Sequence, residues 1–442
     1  MKQVEGATKK KSNLLIGENG VNYLFPFLFI CILFLLWGFA HGFLDVLAKH
    51  FQDLLHVSKA QSGFVQFSLY IGYFVMAIPA GMFIKKYNYQ KGIILGLVIF
   101  AAGCFLFYPA ASYGTFLPFL IALFVIACGL TFLETAANPY STVLGSKDGA
   151  AQRINISQSF NGLGWILGPL IGGFFVFGME AQGEEDKFDS LVTPYMLIGC
   201  VVLVVLLVFM LIKLPKIKEE QEGEDEDPPM KLLLKHPMFI MAVIAQFLYV
   251  AAQTGTNSFF INYVIEAVPD LLTPISNMMS NLGGFGEFFM PKNNEQAASV
   301  ILAIGGMGAF WIGRLVGAYI MKFLKPYILL LVFATINCVL VGLVVLDIGW
   351  LSVISLFTTY LFMSVMFPTI FALGLDNLGG LTKKGSSFLV MAVAGGAFSP
   401  PIMGWISDHF SMATGFSIPL LCFAFIAYFG YWCNQYKKKN AI

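Results

Sequence analysis

The chain has 442 residues, of which 58% are hydrophobic and 12% are charged, and its mean hydropathy is +0.77. A soluble domain usually carries about twice that share of charged residues, so the composition excludes a soluble globular protein and predicts a polytopic membrane protein. The formal net charge is +1. No basic patch lies outside the termini, so no nucleic-acid partner is expected.

The first segment of the chain, residues 1–21, is polar and differs from a cleavable signal peptide. We therefore expect the first membrane helix to remain in the mature protein. Twelve apolar runs follow, and each is close to the length of about 20 residues that a helix needs to cross a bilayer. They predict an all-α membrane protein with helices 1 to 12 near 22–48, 61–84, 90–111, 115–143, 155–178, 192–213, 237–264, 298–321, 327–346, 350–375, 386–407 and 416–436.

Seven cysteines lie within these runs or at their edges, and none belongs to a metal-ligand spacing. They are interpreted as small packing residues. Neither a disulfide framework nor a bound metal is predicted.

The positive charges indicate how the helices are oriented. With the N-terminus in the cytoplasm, 22 of the 26 lysines and arginines fall on the cytoplasmic side. The opposite side keeps only Lys49, Lys59, Lys187 and Lys292. Because positively charged loops stay cytoplasmic, this bias predicts that both termini lie in the cytoplasm.

The longest break between the runs, residues 214–236, carries seven acidic residues between basic ends. It is interpreted as a solvated linker. It divides the chain into a cytoplasmic tail at 1–21, a six-helix half at 22–213, the linker, a second six-helix half at 237–436 and a cytoplasmic tail at 437–442.

The two halves repeat short motifs in the same order. The matching pairs are GMFIKKY (81–87) with GAYIMKF (317–323), PYSTVLG (139–145) with PTIFALG (368–374), and Pro169 and Gly173 with Pro400 and Gly404. Two pseudo-symmetric six-helix halves with a site between them are the architecture of the major facilitator superfamily. A channel or a membrane enzyme does not require this duplication.

Two carboxylates, Asp45 in helix 1 and Glu134 in helix 4, lie inside apolar runs without an obvious route to water. A charge in the hydrocarbon region costs at least about 2.5 to 3.5 kcal/mol, and such residues usually face a cavity or a partner. Protonation avoids this cost, so both residues are candidate proton carriers. The alternative is a neutral carboxyl that bonds a neighbouring helix. Trp37 and His41 share the Asp45 face at i, i+4 and i+8, and His41 either tunes Asp45 or packs.

Side-chain amides form further stripes on three helices. Asn138 lies four residues after Glu134, Gln158 and Asn161 share a face of helix 5, and Gln246, Tyr249, Gln253 and Asn257 share a face of helix 7. Amides donate and accept hydrogen bonds, which suits the hydroxyl groups of a neutral sugar, although they also suit bonds between helices. The only arginines, Arg153 and Arg314, lie at helix ends, which disfavours an anionic substrate.

Several motifs resemble one transporter family. LETAANP (133–139), QSFNGLG (158–164), AQFLYVAAQT (245–254) and FPTIFALGLDNLG (367–379) are similar to the fucose–proton symporter family of the major facilitator superfamily, which also contains glucose/galactose and N-acetylglucosamine transporters. The resemblance implies alternating access, proton-linked carboxylates at Asp45 and Glu134, and a substrate-binding amide at Asn161.

The chain departs from that family at two positions. Fucose permeases have asparagines just before the helix 1 aspartate, where this chain has HGFLD (41–45), and a tyrosine where it has Phe367. Glucose/galactose members tend to have glutamine in place of Glu134, so LETAANP favours the fucose side.

With this resemblance we expect an importer in a bacterial inner membrane that carries a monosaccharide, most simply L-fucose, with protons as the coupling ion and no cofactor. The predicted substrate-binding residues are Glu134, Asn161, Gln158, Asn138, Trp37, His41, Gln253, Asn257, Tyr249 and Phe367. Other hexoses, sodium coupling and a non-transporting sugar sensor remain alternatives. No catalytic constellation is present and no enzyme is expected; the partners expected are the sugar and membrane lipid, with the protein a monomer.

Overall fold

The computed structural model describes residues 15–16, 22–145, 150–178, 188–212, 214, 230–321, 323–376, 378 and 381–439. This part of the chain contains twelve helices that are long and apolar enough to cross a membrane, which confirms the predicted fold class. Helices 1 to 12 span Leu24–Leu55, Lys59–Tyr87, Tyr89–Tyr113, Phe116–Val143, Gln152–Gly178, Asp189–Leu211, Pro237–Ser258, Asn294–Gly317, Pro326–Val345, Trp350–Leu375, Gly385–His409 and Met412–Lys439.

Several of these helices are interrupted. Helix 8 contains a π-helical stretch at Ile301–Met307, helix 10 breaks between Met363 and Met366, and helix 11 contains a short 3-10 stretch at Ala392–Ala394. Such irregularities are tolerated at membrane depth only where protein or a cavity surrounds them. Helix 7 is extended by Phe260–Ala267, and two short helices, Leu272–Ser280 and Gly284–Phe288, precede helix 8.

Most of the predicted linker at 214–236 and of the tail at 1–21 lies outside the described residues, as do residues 440–442. The described end of the linker forms a 3-10 helix at Met230–Lys235. Helix 12 continues to Lys439, three residues into the stretch predicted as a tail, because a helix end can extend past the hydrocarbon core once its side chains are polar.

Helices 1 and 5 form the closest pair in the first half. A Cβ at Gly38 would collide with the carbonyl oxygen of Asn161, and a Cβ at Gly168 would lie 2.6 Å from the Phe43 nitrogen. Only residues without a side chain permit this separation, and small residues are what membrane helices use for close packing. The pair therefore holds the helix 1 and helix 5 candidate residues at a fixed separation.

The helix bundle has two ends. We call the end at which helix 1 begins and helix 12 ends the terminal face. We call the end at which helix 1 ends and helix 2 begins the distal face. His56, which directly follows the last residue of helix 1, has a left-handed backbone conformation with φ 53°. Helix 2 starts after Ser58, whose side chain accepts the Gln61 N–H while Gln61 accepts the Ser58 N–H. This capping box fixes the start of helix 2 at the distal face.

Candidate transport site

The two halves are joined at the distal face by charged groups of helices 2, 7 and 11. The Asp408 carboxylate accepts the backbone N–H groups of Lys59 at 3.0 Å and Ala60 at 2.9 Å. The Lys59 ammonium in turn pairs with Glu266 at 2.5 Å. The first N–H groups of a helix have no hydrogen-bond partner within the helix. In helix 2 this partner is a carboxylate of the other half.

Two glycines allow the halves to touch at backbone distance. A Cβ at Gly404 of helix 11 would collide with the Lys59 carbonyl oxygen, and a Cβ at Gly173 of helix 5 would collide with the Ser299 side chain of helix 8. These glycines belong to the Pro-Gly pairs that the two halves repeat. The repeat thus marks two equivalent seams, between helices 2 and 11 and between helices 5 and 8.

Further hydrogen bonds between the halves lie toward the same face. The Asn262 amide donates to Gln52 at 2.7 Å, and Gln52 donates to Ser62 at 2.7 Å. The Asn293 amide donates to the Phe177 carbonyl at 2.9 Å. Among the described residues the distal face is therefore closed by contacts between the halves.

Asp45 lies beneath this closed face and is only 1% exposed. Its Oδ1 accepts a hydrogen bond from the Gln66 amide of helix 2 at 3.0 Å, whereas its Oδ2 has no partner within the described residues. A buried carboxylate with one free oxygen is costly as an anion and cheaper as a neutral acid. In this conformation Asp45 is thus sealed from water and suited to carry a proton.

Glu134 has a different setting. Its side chain is half-buried and lines a crevice between helices 1 and 4 with Leu33, Phe34, Trp37, Leu133 and Ala137. No described residue forms a hydrogen bond to its carboxyl group. A carboxyl that bonds helices together needs a protein partner, so the free group favours the functional interpretation over packing.

An aromatic group surrounds His41. The imidazole centroid lies 6.0 Å from Trp37, 5.6 Å from Tyr73 and 5.4 Å from Trp165. Its Nδ1 is 3.0 Å from the Trp37 carbonyl, which can only accept, so Nδ1 carries the proton in this contact. Aromatic walls with a few polar groups are typical of small-molecule sites.

The amides of helices 4 and 5 make weak or internal contacts. Asn161 is buried and donates to the Phe34 carbonyl at 3.2 Å, and Gln158 donates to Asn138 at 3.4 Å. Gln158 and Asn138 are half-buried. In this conformation Asn161 therefore contacts helix 1, and its predicted role toward a sugar stays a prediction.

The candidates of the second half divide into two kinds. Tyr249 is fully buried and donates to the Met363 carbonyl at 3.0 Å, with its ring 6.2 Å from that of Phe367. Asn257 is 3% exposed, and its Oδ1 has no partner within the described residues. Gln253 and Phe367 are half-buried. The predicted roles of these four residues toward a substrate stay predictions.

Sequence reasoning missed the neutral and helix-end residues that contact these candidates. Gln66 bonds Asp45, Tyr70 bonds Thr254 across the halves at 3.0 Å, and Asp408 caps helix 2. The spacing of Ser62, Gln66 and Tyr70 at i, i+4 and i+8 was a signal that the sequence offered. No group of three or more His, Cys, Asp or Glu side chains that could hold a metal occurs among the described residues.

A family model described as Major Facilitator Superfamily matches residues 26–397. The L-fucose-proton symporter of Escherichia coli (strain K12) is 35% identical over 435 residues, covering 94% of this chain and 94% of that protein. The glucose/galactose transporter of Brucella abortus (strain 2308) is 32% identical over 411 residues, covering 92% of this chain and 94% of that protein.

Solved structures of other transporters are similar to this chain in fold. The crystal structure of the transporter FucP in the outward conformation has a TM-score of 0.64 and 35% sequence identity, over 93% of this chain and 99% of that chain. A bacterial homolog of the human lysosomal transporter Spinster, inward-facing and unoccupied, has a TM-score of 0.67 at 14% identity, over 92% of this chain and 96% of that chain, and shows a likeness of fold alone. The chain belongs to the major facilitator superfamily, and within it to the family that contains the L-fucose–proton symporters and the glucose/galactose transporters.

Proposed function

We propose that this protein imports a monosaccharide together with a proton, by alternating access, and that the sugar is L-fucose. The observation that carries the proposal is the free carboxyl group of Glu134 in a crevice with Trp37. A carboxyl beside an aromatic ring and half-buried amides can bind sugar hydroxyls and exchange a proton within one site. The printed name of the Escherichia coli relative supports both the substrate and the coupling ion.

The two carboxyls have different access, which supports a route for the proton. Asp45 is 1% exposed beneath the closed distal face, whereas Glu134 is half-buried in the crevice between helices 1 and 4. A proton taken up at Asp45 while the distal face is open is occluded when that face closes. Release then proceeds on the other side of the barrier, through or beside Glu134.

We also propose that the terminal face is cytoplasmic and that the membrane is the bacterial inner membrane. The support is that 22 of the 26 lysines and arginines fall on that side, because positively charged loops stay cytoplasmic. With this orientation the distal face is periplasmic, and the conformation described here is closed to the periplasm. Lys59 and Glu266 then pair on the periplasmic side.

Glucose/galactose transport is the second candidate, because relatives with that printed name align over 92% of the chain. The helix 1 sequence HGFLD departs from the fucose permeases, whereas Glu134 favours fucose. The purified protein in proteoliposomes should exchange radiolabelled L-fucose in counterflow, while D-galactose, D-glucose and N-acetylglucosamine are exchanged at least tenfold more slowly. Faster exchange of a different sugar would replace the proposed substrate, and no exchange of any sugar would leave the sensor as the better interpretation.

A further inference from the structure

Residues 268–293 join helix 7 to helix 8 at the distal face, and we call this segment the distal insert. It contains the two short helices Leu272–Ser280 and Gly284–Phe288. Gly283, with φ 60°, turns the chain between them in a left-handed conformation that glycine adopts without strain. A Cβ at Gly286 would collide with the Met279 carbonyl oxygen, so the second short helix lies directly against the first. The insert is therefore a compact helical hairpin.

The inner face of the hairpin packs against the rest of the protein. It consists of apolar residues spaced by four, all of them buried in the core: Leu271, Ile275 and Met279. The Asn294 side chain accepts the Leu272 N–H at 3.1 Å and donates to the Pro269 carbonyl at 2.9 Å. The Phe289 ring lies 5.5 Å from that of Phe174 in helix 5. These contacts fix the orientation of the insert on the distal face.

The outer face of the hairpin is also apolar, although no described residue covers it. Its exposed large side chains are Met278, Leu282, Phe285 and Phe288. Phe288 is 79% exposed, the highest fraction among them. Between Leu271 and Pro291 the only charged residue is Glu287. A contiguous apolar surface with so little charge marks an interaction site and not a face turned to water.

The insert lies at the depth where the membrane meets water. Odd-numbered helices end at the distal face and even-numbered helices begin there, and exposed aromatic residues mark these ends: Tyr113 of helix 3, Trp350 of helix 10 and Trp405 of helix 11. Tyrosine and tryptophan are enriched at membrane interfaces. A Cβ at Gly349, the residue before Trp350, would be 3.9 Å from the Ala267 carbonyl oxygen, directly before the insert. The insert thus begins level with this aromatic belt.

We propose that the distal insert is an interfacial anchor whose outer face enters the phospholipids of the distal leaflet. Its outer face continues the apolar surface that the membrane helices present to lipid, and its level coincides with the aromatic belt. An isolated interfacial helix needs a charged face toward water. The insert does not, because its second face is covered by protein. This inference goes beyond the proposed transport, and its test requires no sugar.

The test places an environment-sensitive fluorophore on the outer face. In a protein whose native cysteines are replaced, Phe288→Cys and, separately, Phe285→Cys are labelled with NBD and reconstituted into phosphatidylcholine vesicles. A nitroxide on the upper acyl chain of the lipid quenches probes within the bilayer, and iodide quenches probes in water. Glu287→Cys is the matched control, since Glu287 is the exposed charged neighbour of Phe288. Trp350→Cys provides the reference for a probe at the interface.

The apolar face of an interfacial segment is buried about 5–10 Å into the boundary between headgroups and acyl chains, so the nitroxide should quench the two phenylalanine-site probes at least about twofold more than the Glu287→Cys probe. Iodide should show the opposite order. The phenylalanine-site probes should resemble the Trp350→Cys probe in both measurements. Two sites are used so that a local disturbance at one of them does not decide the result.

Quenching of both phenylalanine-site probes by iodide as strongly as the Glu287→Cys probe would overturn the proposal, because the outer face would then lie in water. Shielding of both probes from iodide and from the nitroxide would also overturn it, since protein, such as a second copy of the chain, would then cover the face. Neither result would bear on sugar transport, which is measured separately by counterflow.

Discussion

Asp408 of helix 11 accepts the backbone N–H of Lys59, the first residue of helix 2, at 3.0 Å. The second carboxylate oxygen accepts the N–H of Ala60 at 2.9 Å. A negative charge at the start of a helix also interacts favourably with the helix dipole. One residue of the second half therefore holds the entry of a helix in the first half, and this contact must break each time the distal face opens.

Asp408→Asn should shift the protein toward the distal-open state. The amide keeps an acceptor but loses the charge, a loss of about 0.3 to 2 kcal/mol at a helix start. In a protein whose native cysteines are replaced, Ser299→Cys is buried at the seam between helices 5 and 8. At one fixed pH, a membrane-impermeant maleimide should therefore label it roughly two- to thirtyfold faster in Asp408→Asn. Asp53→Asn is the matched control, because Asp53 pairs with Lys49 within helix 1 at 2.5 Å. Unchanged labelling in Asp408→Asn would show that the contact does not stabilise closure.

Gly404→Leu should prevent the distal face from closing, because any side chain there meets the Lys59 carbonyl. We expect sugar binding by calorimetry to persist while counterflow falls by at least tenfold. Gly81→Leu is the control, since a Cβ at Gly81 meets no atom within 4 Å. Equal counterflow in the two variants would rule out a seam at Gly404.

The internal repeats illustrate which features of the fold can be predicted from the sequence. Twelve helices, two related halves and the Pro-Gly pairs were predictable, because hydropathy and internal similarity are local properties. The sequence did not predict that Gly173 and Gly404 lie where the two halves touch, since this depends on which helices approach each other. The contact of Asp408 with helix 2 was not predictable for the same reason. The predicted helix ends were wrong by several residues because polar side chains conceal a helix that continues into water, as in helix 1, which ends at Leu55.

The candidate site was predictable where a residue is unusual for its surroundings. A carboxylate in an apolar run is conspicuous, so Asp45 and Glu134 were identified from the sequence alone. Gln66 and Tyr70 are ordinary in a membrane helix, and only tertiary packing places them beside Asp45 and Thr254.

Asn161→Ala should weaken sugar binding by about 1 to 3 kcal/mol, the usual cost of leaving a buried polar partner unsatisfied. Because Asn161 also donates to the Phe34 carbonyl, the thermal stability of the variant is measured in parallel. Lower stability with unchanged affinity in calorimetry would make Asn161 a packing residue.

Asp45→Asn mimics the loaded, neutral carboxyl beneath the distal face. It should keep exchanging labelled for unlabelled sugar, which needs no proton release, and should fail to concentrate sugar under an imposed pH gradient. The membrane potential contributes roughly 2.3 kcal/mol per charge per 100 mV, so the wild type can hold a gradient of several tens-fold. Accumulation by Asp45→Asn equal to the wild type would move the coupling proton elsewhere, with Glu134 the better candidate.

The central claim is that sugar and proton move together through a site containing Glu134. The most direct measurement is the external pH of lightly buffered, de-energised vesicles when L-fucose is added without sodium. Wild-type vesicles should alkalinise the medium as sugar enters. Glu134→Gln vesicles should not, because a permanently neutral side chain cannot release a proton, and they should not accumulate sugar. Sugar entry that leaves the pH unchanged, or that requires sodium, would contradict proton symport, and wild-type alkalinisation by Glu134→Gln would contradict the role of Glu134.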